Sequence, residues 1–298
     1  MEKRQNRMAF IFSILFILTL TLAAGSYLLG LKTGISMAEA DYEAEKEGDA
    51  QAAGTSPASQ QDIAVFYNNV FVPYREFQAE WDKVADSLAQ GSLGDAKAEF
   101  ARLAKLASVK YDEAGSVSLQ HVKLVGASQA AYLRSLKLFK DAADDAAAAA
   151  KKSNNAELDA AIAANANYKS AVKQQLQGQR LFYGSMLQWS ASVDSAIPAE
   201  YAYNAGMKLS VWSGLPLVVK NKLAADALQS KNGLTDYLPQ DLTARVDEMI
   251  ASGQAGKRGL ATIGAVIDLL TETKSVRSGD YGAGQQYRDE LLPDIPLF

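Results

Sequence analysis

The chain has 298 residues, a net charge of −4, no cysteine and one histidine, His121. These counts exclude disulfides, thiol chemistry, histidine-rich metal sites and a lipid anchor carried on cysteine. The acidic balance lacks the concentrated basic surface that nucleic acid demands, so no nucleic-acid partner is expected.

From Met8 to Leu31 the chain runs 24 residues without a charge. As a helix that stretch would be roughly 36 Å long, enough to cross a hydrocarbon core of about 30 Å. Lys3, Arg4 and Arg7 precede it, whereas Glu39, Asp41, Glu43, Glu45, Glu47 and Asp49 follow it beyond Lys32. Positive charge on the N-terminal flank predicts residues 1–7 inside the cell and the bulk outside. The competing expectation is a cleaved signal peptide and a secreted product. Cutting after Ala24 places bulky Leu22 at −3; cutting after Gly25 leaves "SYLLGLKTG", still apolar. The run continues through both sites, which favours a retained anchor and makes the lipid bilayer the first expected partner, through residues 8–31.

Residues 32–60 are acidic, then small and proline-containing, and read as a solvated stalk. Beyond them Ile63, Tyr67, Val70, Tyr74, Phe77, Trp81, Val84 and Leu88 alternate steps of four and three, the stripe of a core-facing helix. Pro73 predicts a kink or a restart within it. "QGSLGD" ends that helix, and Asp95 is positioned to cap the next. A third helix, from Ser118, carries Val122, Val125, Gln129, Tyr132, Leu136, Phe139 and Ala143. A fourth, capped by Asn155, carries Leu158, Ile162, Asn165, Tyr168, Val172, Leu176, Gln179, Tyr183 and Met186. After Val193 the segments shorten, with Pro198, Pro216 and Pro239 each expected to open a helix and Gly214, Gly233 and Gly253 at breaks. Strand signals are almost absent. The expected fold class is all-α: an N-terminal transmembrane helix, an extracytoplasmic long-helix bundle over 61–195, and a C-terminal set of short helices over 196–298 packed on it. The terminal "LLPDIPLF" should lie extended, because its two prolines forbid a helix.

Chemical motifs are few. "SGQAGKRG" at 252–259 lacks the first glycine, the hydroxyl and the preceding strand of a phosphate loop, and reads as a helix–helix turn. His121 stands beside the Val122 stripe and reads as a surface residue. Asp144 and Asp145 lack calcium-loop spacing. No serine-nucleophile elbow occurs, and "LPQD" lacks the Thr-Gly of a sortase substrate. No catalytic, cofactor-binding or metal-binding set is expected.

The feature of most interest is polar residues at positions that the helical period assigns to the core. Gln129, Asn165 and Gln179 share the stripes with Tyr67, Tyr168 and Tyr183. They predict either a polar layer that fixes helix register or an aromatic-lined cavity for a small ligand. The function these features favour is a non-catalytic interaction or structural role at a bacterial cell envelope, through an unidentified protein partner. A ligand sensor acting through a membrane partner and an envelope hydrolase using carboxylates are the alternatives.

Overall fold

The computed structural model describes residues 57–282, Tyr287 and residues 290–298. The predicted membrane span and nearly all of the predicted stalk lie outside the described residues. Among those described, no helix is long and apolar enough to cross a membrane. The fold is all-α, with an isolated bridge between Lys208 and Thr262 as the β-type pairing recorded among them.

Helix α1 (Gln60–Phe66) starts on a capping box. Ser59 Oγ accepts from the Asp62 N–H at 3.1 Å, and the Asp62 carboxylate accepts from the Ser59 N–H at 2.9 Å. Ser59 and Gln60, assigned to the stalk by composition, therefore belong to the folded body. Ahead of Pro73 the helix widens into a π turn over Tyr67–Phe71 and then continues as α2 (Val72–Ala89). Proline offers no N–H to the carbonyl one turn back, and the wider turn accommodates that break without ending the helix. The side-chain amides of Asn68 and Asn69 donate to the Ala64 and Val65 carbonyls, both at 2.9 Å.

Asp95 caps α3 (Ala96–Gly115), its Oδ1 accepting from Ala98 N–H at 2.9 Å. Helix α4 (Lys123–Ala149) begins five residues later than Ser118, after a turn. The fourth long helix differs most from expectation. It is two helices, α5 (Asn155–Ala164) and α6 (Ala166–Val193), with Asn154 rather than Asn155 capping the first. Asn165 is extended, at φ −63° and ψ 131°, and its Oδ1 caps α6 through Tyr168 N–H at 2.9 Å. A short amide that can hydrogen-bond nearby backbone competes with the helix it sits in. The alanine-rich sequence around it hides that break from a propensity reading.

The C-terminal part comprises α7 (Leu209–Ser213), α8 (Leu217–Lys231), α9 (Pro239–Ala251), α10 (Gln254–Lys257) and α11 (Ile263–Glu272). Pro216 and Pro239 stand at helix starts as expected, but Pro198 does not: no helix forms between Val193 and Leu209. Helix α8 lies antiparallel along α6, with Arg180 bonded to Asp226 at 3.1 Å and Gln229 to Gln177 at 2.5 Å. The last residues lie on the body. Gln60 Nε2 donates to the Asp294 carbonyl at 2.9 Å, and Ser190 Oγ donates to that of Leu291 at 3.3 Å.

Aromatic rings run along the middle of the bundle. Phe66 meets Phe182 at 4.4 Å between centroids, Tyr74 meets Tyr132 at 4.5 Å, and Trp81 meets Phe139 at 4.7 Å. The close approach of α4 and α6 needs Gly178: a Cβ there would stand 2.9 Å from the Tyr132 ring. Ser128 Oγ donates to the Gly178 carbonyl at 2.7 Å across the same contact.

Candidate functional site

One face of α2 carries Tyr74, Arg75, Gln78 and Asp82, and it forms the most connected polar group in the bundle. Gln78 is the hub. Its Oε1 accepts from Arg75 Nη1 at 2.9 Å and from Gln175 Nε2 at 2.8 Å, and its Nε2 donates to the Thr235 carbonyl at 3.0 Å. Arg75 Nη2 donates to the Asp236 carbonyl at 3.2 Å, so α2 holds the loop between α8 and α9 at two points. Deeper in, Tyr74 OH donates to Gln175 Oε1 at 3.1 Å and lies 2.7 Å from Ser135 Oγ. Ser135 Oγ in turn donates to the Ala171 carbonyl at 2.8 Å. Burial raises Tyr74 well above the ordinary phenol range, so it is a neutral donor at any physiological pH.

Asp82 lies one turn beyond Gln78 and is half-buried. Burial pushes its carboxyl up to about 6, against the pull of the Arg75 guanidinium and the Gln78 amide, and the charges of Asp86 and Asp236 add to the rise. Tyr168 feels that same carboxyl: burial first, then the Asp82 charge, raises its phenol. A carboxyl displaced toward neutrality is the kind of group that functional sites use.

The six residues singled out by the stripes do not converge on one site. Gln129 is buried, and its Nε2 donates to the Ala114 and Val117 carbonyls at 2.8 and 2.7 Å, closing the C-terminal end of α3. Asn165 is a half-buried cap, not a core residue, and its Nδ2 donates to Asp145 at 2.9 Å. Tyr67 is half-buried and stacks on Phe71 in the π turn; Tyr168 stacks on Trp81 at 5.7 Å. Tyr183 is buried and donates to Gln240 Oε1, whose Nε2 continues to the Leu297 carbonyl at 3.2 Å. Gln179 is buried beside that pair in sequence, and its Nε2 has no protein partner. Gln78, Ser135 and Gln175, which form the actual layer with Tyr74, were missed because they flank the stripes. The signal available was their place one turn from Tyr74, Val172 and Tyr132.

Gln129 carries a direct test. Gln129→Leu would leave the buried Ala114 carbonyl and the half-buried Val117 carbonyl without their donor and should lower the unfolding free energy by about 1–3 kcal/mol. Urea titration followed by circular dichroism measures it, and an unchanged midpoint would contradict the capping role.

Two clefts are lined by other residues. One of about 400 Å³ sits at the α2–α3 turn beside Glu80, Ser87, Ser92 and Arg102. The other, about 140 Å³, lies between Arg245, Glu248, Arg258 and Thr273. The arginines already have work: Arg102 bridges Glu80 at 2.8 Å and Glu99 at 2.9 Å, and Arg245 donates to the Ser275 carbonyl at 3.1 Å and pairs with Glu248. Residues 252–259 form the turn after α9, including the single helical turn α10 and left-handed Gly253 and Gly259. His121 is exposed, with Nε2 3.1 Å from Asp62 Oδ1. Among the described residues, no group of three or more histidine or carboxylate side chains is placed to hold a metal ion.

Compared with family models, curated proteins and solved structures, the chain matches none.

Proposed function

We propose that the chain is a single-pass, membrane-anchored protein whose extracytoplasmic helical body has a structural or protein-binding role at the cell envelope. The charge-free run at 8–31 and its flanking charges support the anchor and the orientation. The observation that carries the non-catalytic role is the use made of the buried polar groups. Gln78, Gln175, Tyr74 and Ser135 bond to one another and to backbone, and Gln129 closes a helix end, which is what a register-fixing layer does.

Intact mass of membrane-extracted protein should retain residues 1–31, and protease added to intact cells should digest the body. A mature start at Gly25 or Ser26 with protein in the medium would overturn the anchor, and a protected body would reverse the topology. Crosslinking in intact membranes followed by pull-down then tests the partner. A product containing only this chain would refute a hetero-partner.

Asp82 favours a second reading, a hydrolase that uses carboxylates. A half-buried carboxyl raised to about 6 suits a general acid. Release of reducing ends from isolated cell-wall glycan by the purified protein, lost in Asp82→Asn, would support this reading over the first.

A further inference from the structure

Residues 291–298 cross three helices, and at each crossing a side chain of the body bonds to the backbone of the segment. On α6, Ser190 Oγ donates to the Leu291 carbonyl at 3.3 Å. On α1, Gln60 grips Asp294 twice. Its Nε2 donates to the Asp294 carbonyl at 2.9 Å, and its Oε1 accepts from the Asp294 N–H at 3.3 Å. On α9, Gln240 Nε2 donates to the Leu297 carbonyl at 3.2 Å. Ser190 and Gln240 are 0% and 3% exposed, and the Tyr183 hydroxyl fixes the Gln240 amide by bonding to its oxygen.

The side chains of the segment follow the period of an extended chain. Pro293 and Ile295 are buried, whereas Asp294 and Pro296 are exposed. Backbone bonds that hold and alternate side chains that select are how extended peptides are recognised. Pro293 and Pro296 fix two backbone angles in advance, which lowers the entropy lost when the segment is ordered. The bonds within the segment are local: Ile295 N–H to the Pro293 carbonyl at 2.9 Å, and Leu297 N–H to that of Ile295 at 2.7 Å. None of these ties it to the body. A segment with two buried side chains and no helix of its own belongs to the part of a fold that opens before the rest.

We propose that α1, α6 and α9 form a binding site for an extended apolar peptide, and that residues 291–298 of the same chain are its resident ligand. The bonds from Ser190, Gln60 and Gln240 reach only backbone atoms, so any extended chain satisfies them. Selection falls to the places of Pro293 and Ile295, which take an imino ring and a branched aliphatic side chain two residues apart. The site depends neither on the anchor nor on a partner at the envelope.

A labelled synthetic peptide of residues 291–298, titrated into the detergent-solubilised full chain, tests this by fluorescence anisotropy. Ile295→Asp in the chain should unseat the tethered segment and let the peptide bind saturably. The unaltered chain should bind it at least about tenfold more weakly, because its own segment competes at a roughly millimolar effective concentration. A peptide carrying the same Ile295→Asp change should not bind. Absence of saturable binding to the folded Ile295→Asp chain, or equal binding to both chains, would overturn the proposal. Hydrogen exchange of the unaltered chain decides the matter should that variant fail to fold. The Asp294, Ile295 and Leu297 amides should exchange at least about tenfold faster than those of α6 around Ser190. Equal rates would make the segment part of the core and overturn the proposal. Dimers of the unaltered chain that dissociate on Ile295→Asp would seat the segment of a second copy instead, and would overturn the assignment of the tethered one.

Discussion

Replacing Trp81 with alanine should lower the unfolding free energy of the body by about 3–5 kcal/mol, the loss typical of a large aromatic removed from a core. The indole is 2% exposed and touches rings from four elements: Phe77 on its own helix, Phe100 on α3, Phe139 on α4 and Tyr168 on α6. A side chain shared by so many helices has no single neighbour able to collapse into its space, so the cavity persists. At roughly 2–4 °C per kcal/mol for a body of this size, the melting temperature should fall by about 10 °C. The denaturant slope should stay constant while the midpoint moves, because the same surface is exposed on unfolding. Trp81→Phe should recover part of the loss. A midpoint unchanged by Trp81→Ala would mean that the indole faces open space and belongs to a docking surface.

Trp81 also shows what was legible in the sequence. The alternation of four and three from Ile63 to Leu88 places Tyr74, Phe77, Trp81, Val84 and Leu88 inside, and all five are buried. Periodicity reports a face, and a face is what a bundle buries. It reports neither where a helix breaks nor what a polar residue bonds to. Asn165 fits the stripe of the fourth helix and still ends α5, because an N-cap is a local hydrogen-bonding choice that spacing does not encode. Gln129 and Gln179 occupy equivalent-looking positions, yet one closes the end of α3 and the other has an amide nitrogen without a protein partner. That difference depends on which backbone lies opposite, a tertiary fact. The layer formed by Gln78 and Gln175 escaped for the same reason: each adjoins a stripe residue, Phe77 and Leu176, and its partners, the Thr235 carbonyl for Gln78 and the Gln78 and Tyr74 side chains for Gln175, are set by tertiary packing.

The polar layer and the aromatic column therefore do different things for the same bundle. Rings such as Phe66, Phe182 and Phe139 supply area and tolerate small slips along the helix axis. Directed bonds such as Gln175 to Gln78 and Ser135 to Ala171 tolerate none, since a shift of one residue would orphan both partners. Apolar burial stabilises the bundle, and the buried amides select its register.

Asp82 runs against that economy, and its removal should stabilise the protein. The folded-state value of about 6 lies above the ordinary 3.8 of the unfolded chain, so the native state binds the proton more tightly. The sign follows from linkage: folding is opposed by the charged form at neutral pH, and stability rises as pH falls from about 6 toward about 4. At about 1.4 kcal/mol per pH unit, a displacement of this size corresponds to an upper bound of about 3 kcal/mol. Asp82→Asn removes the charge and keeps the shape, so it should raise stability at pH 7 by about 1–3 kcal/mol, less whatever Arg75 loses in attraction. Asp62 works in the opposite sense. Burial pushes its carboxyl up, but bonds from Ser59 and His121 outweigh that and hold it below its ordinary value, so its contribution is lost only at pH below that of Asp82's transition. Urea midpoints measured at intervals between pH 4 and pH 7.5 separate the two. The unaltered chain should gain stability on acidification through the upper part of that range, and Asp82→Asn should flatten the gain. Equal pH dependence in both proteins, or a variant less stable at pH 7, would show that Arg75 and Gln78 compensate the buried carboxylate fully. The predicted result would instead mark a charge that the fold carries at a cost, as sites under functional rather than structural constraint do.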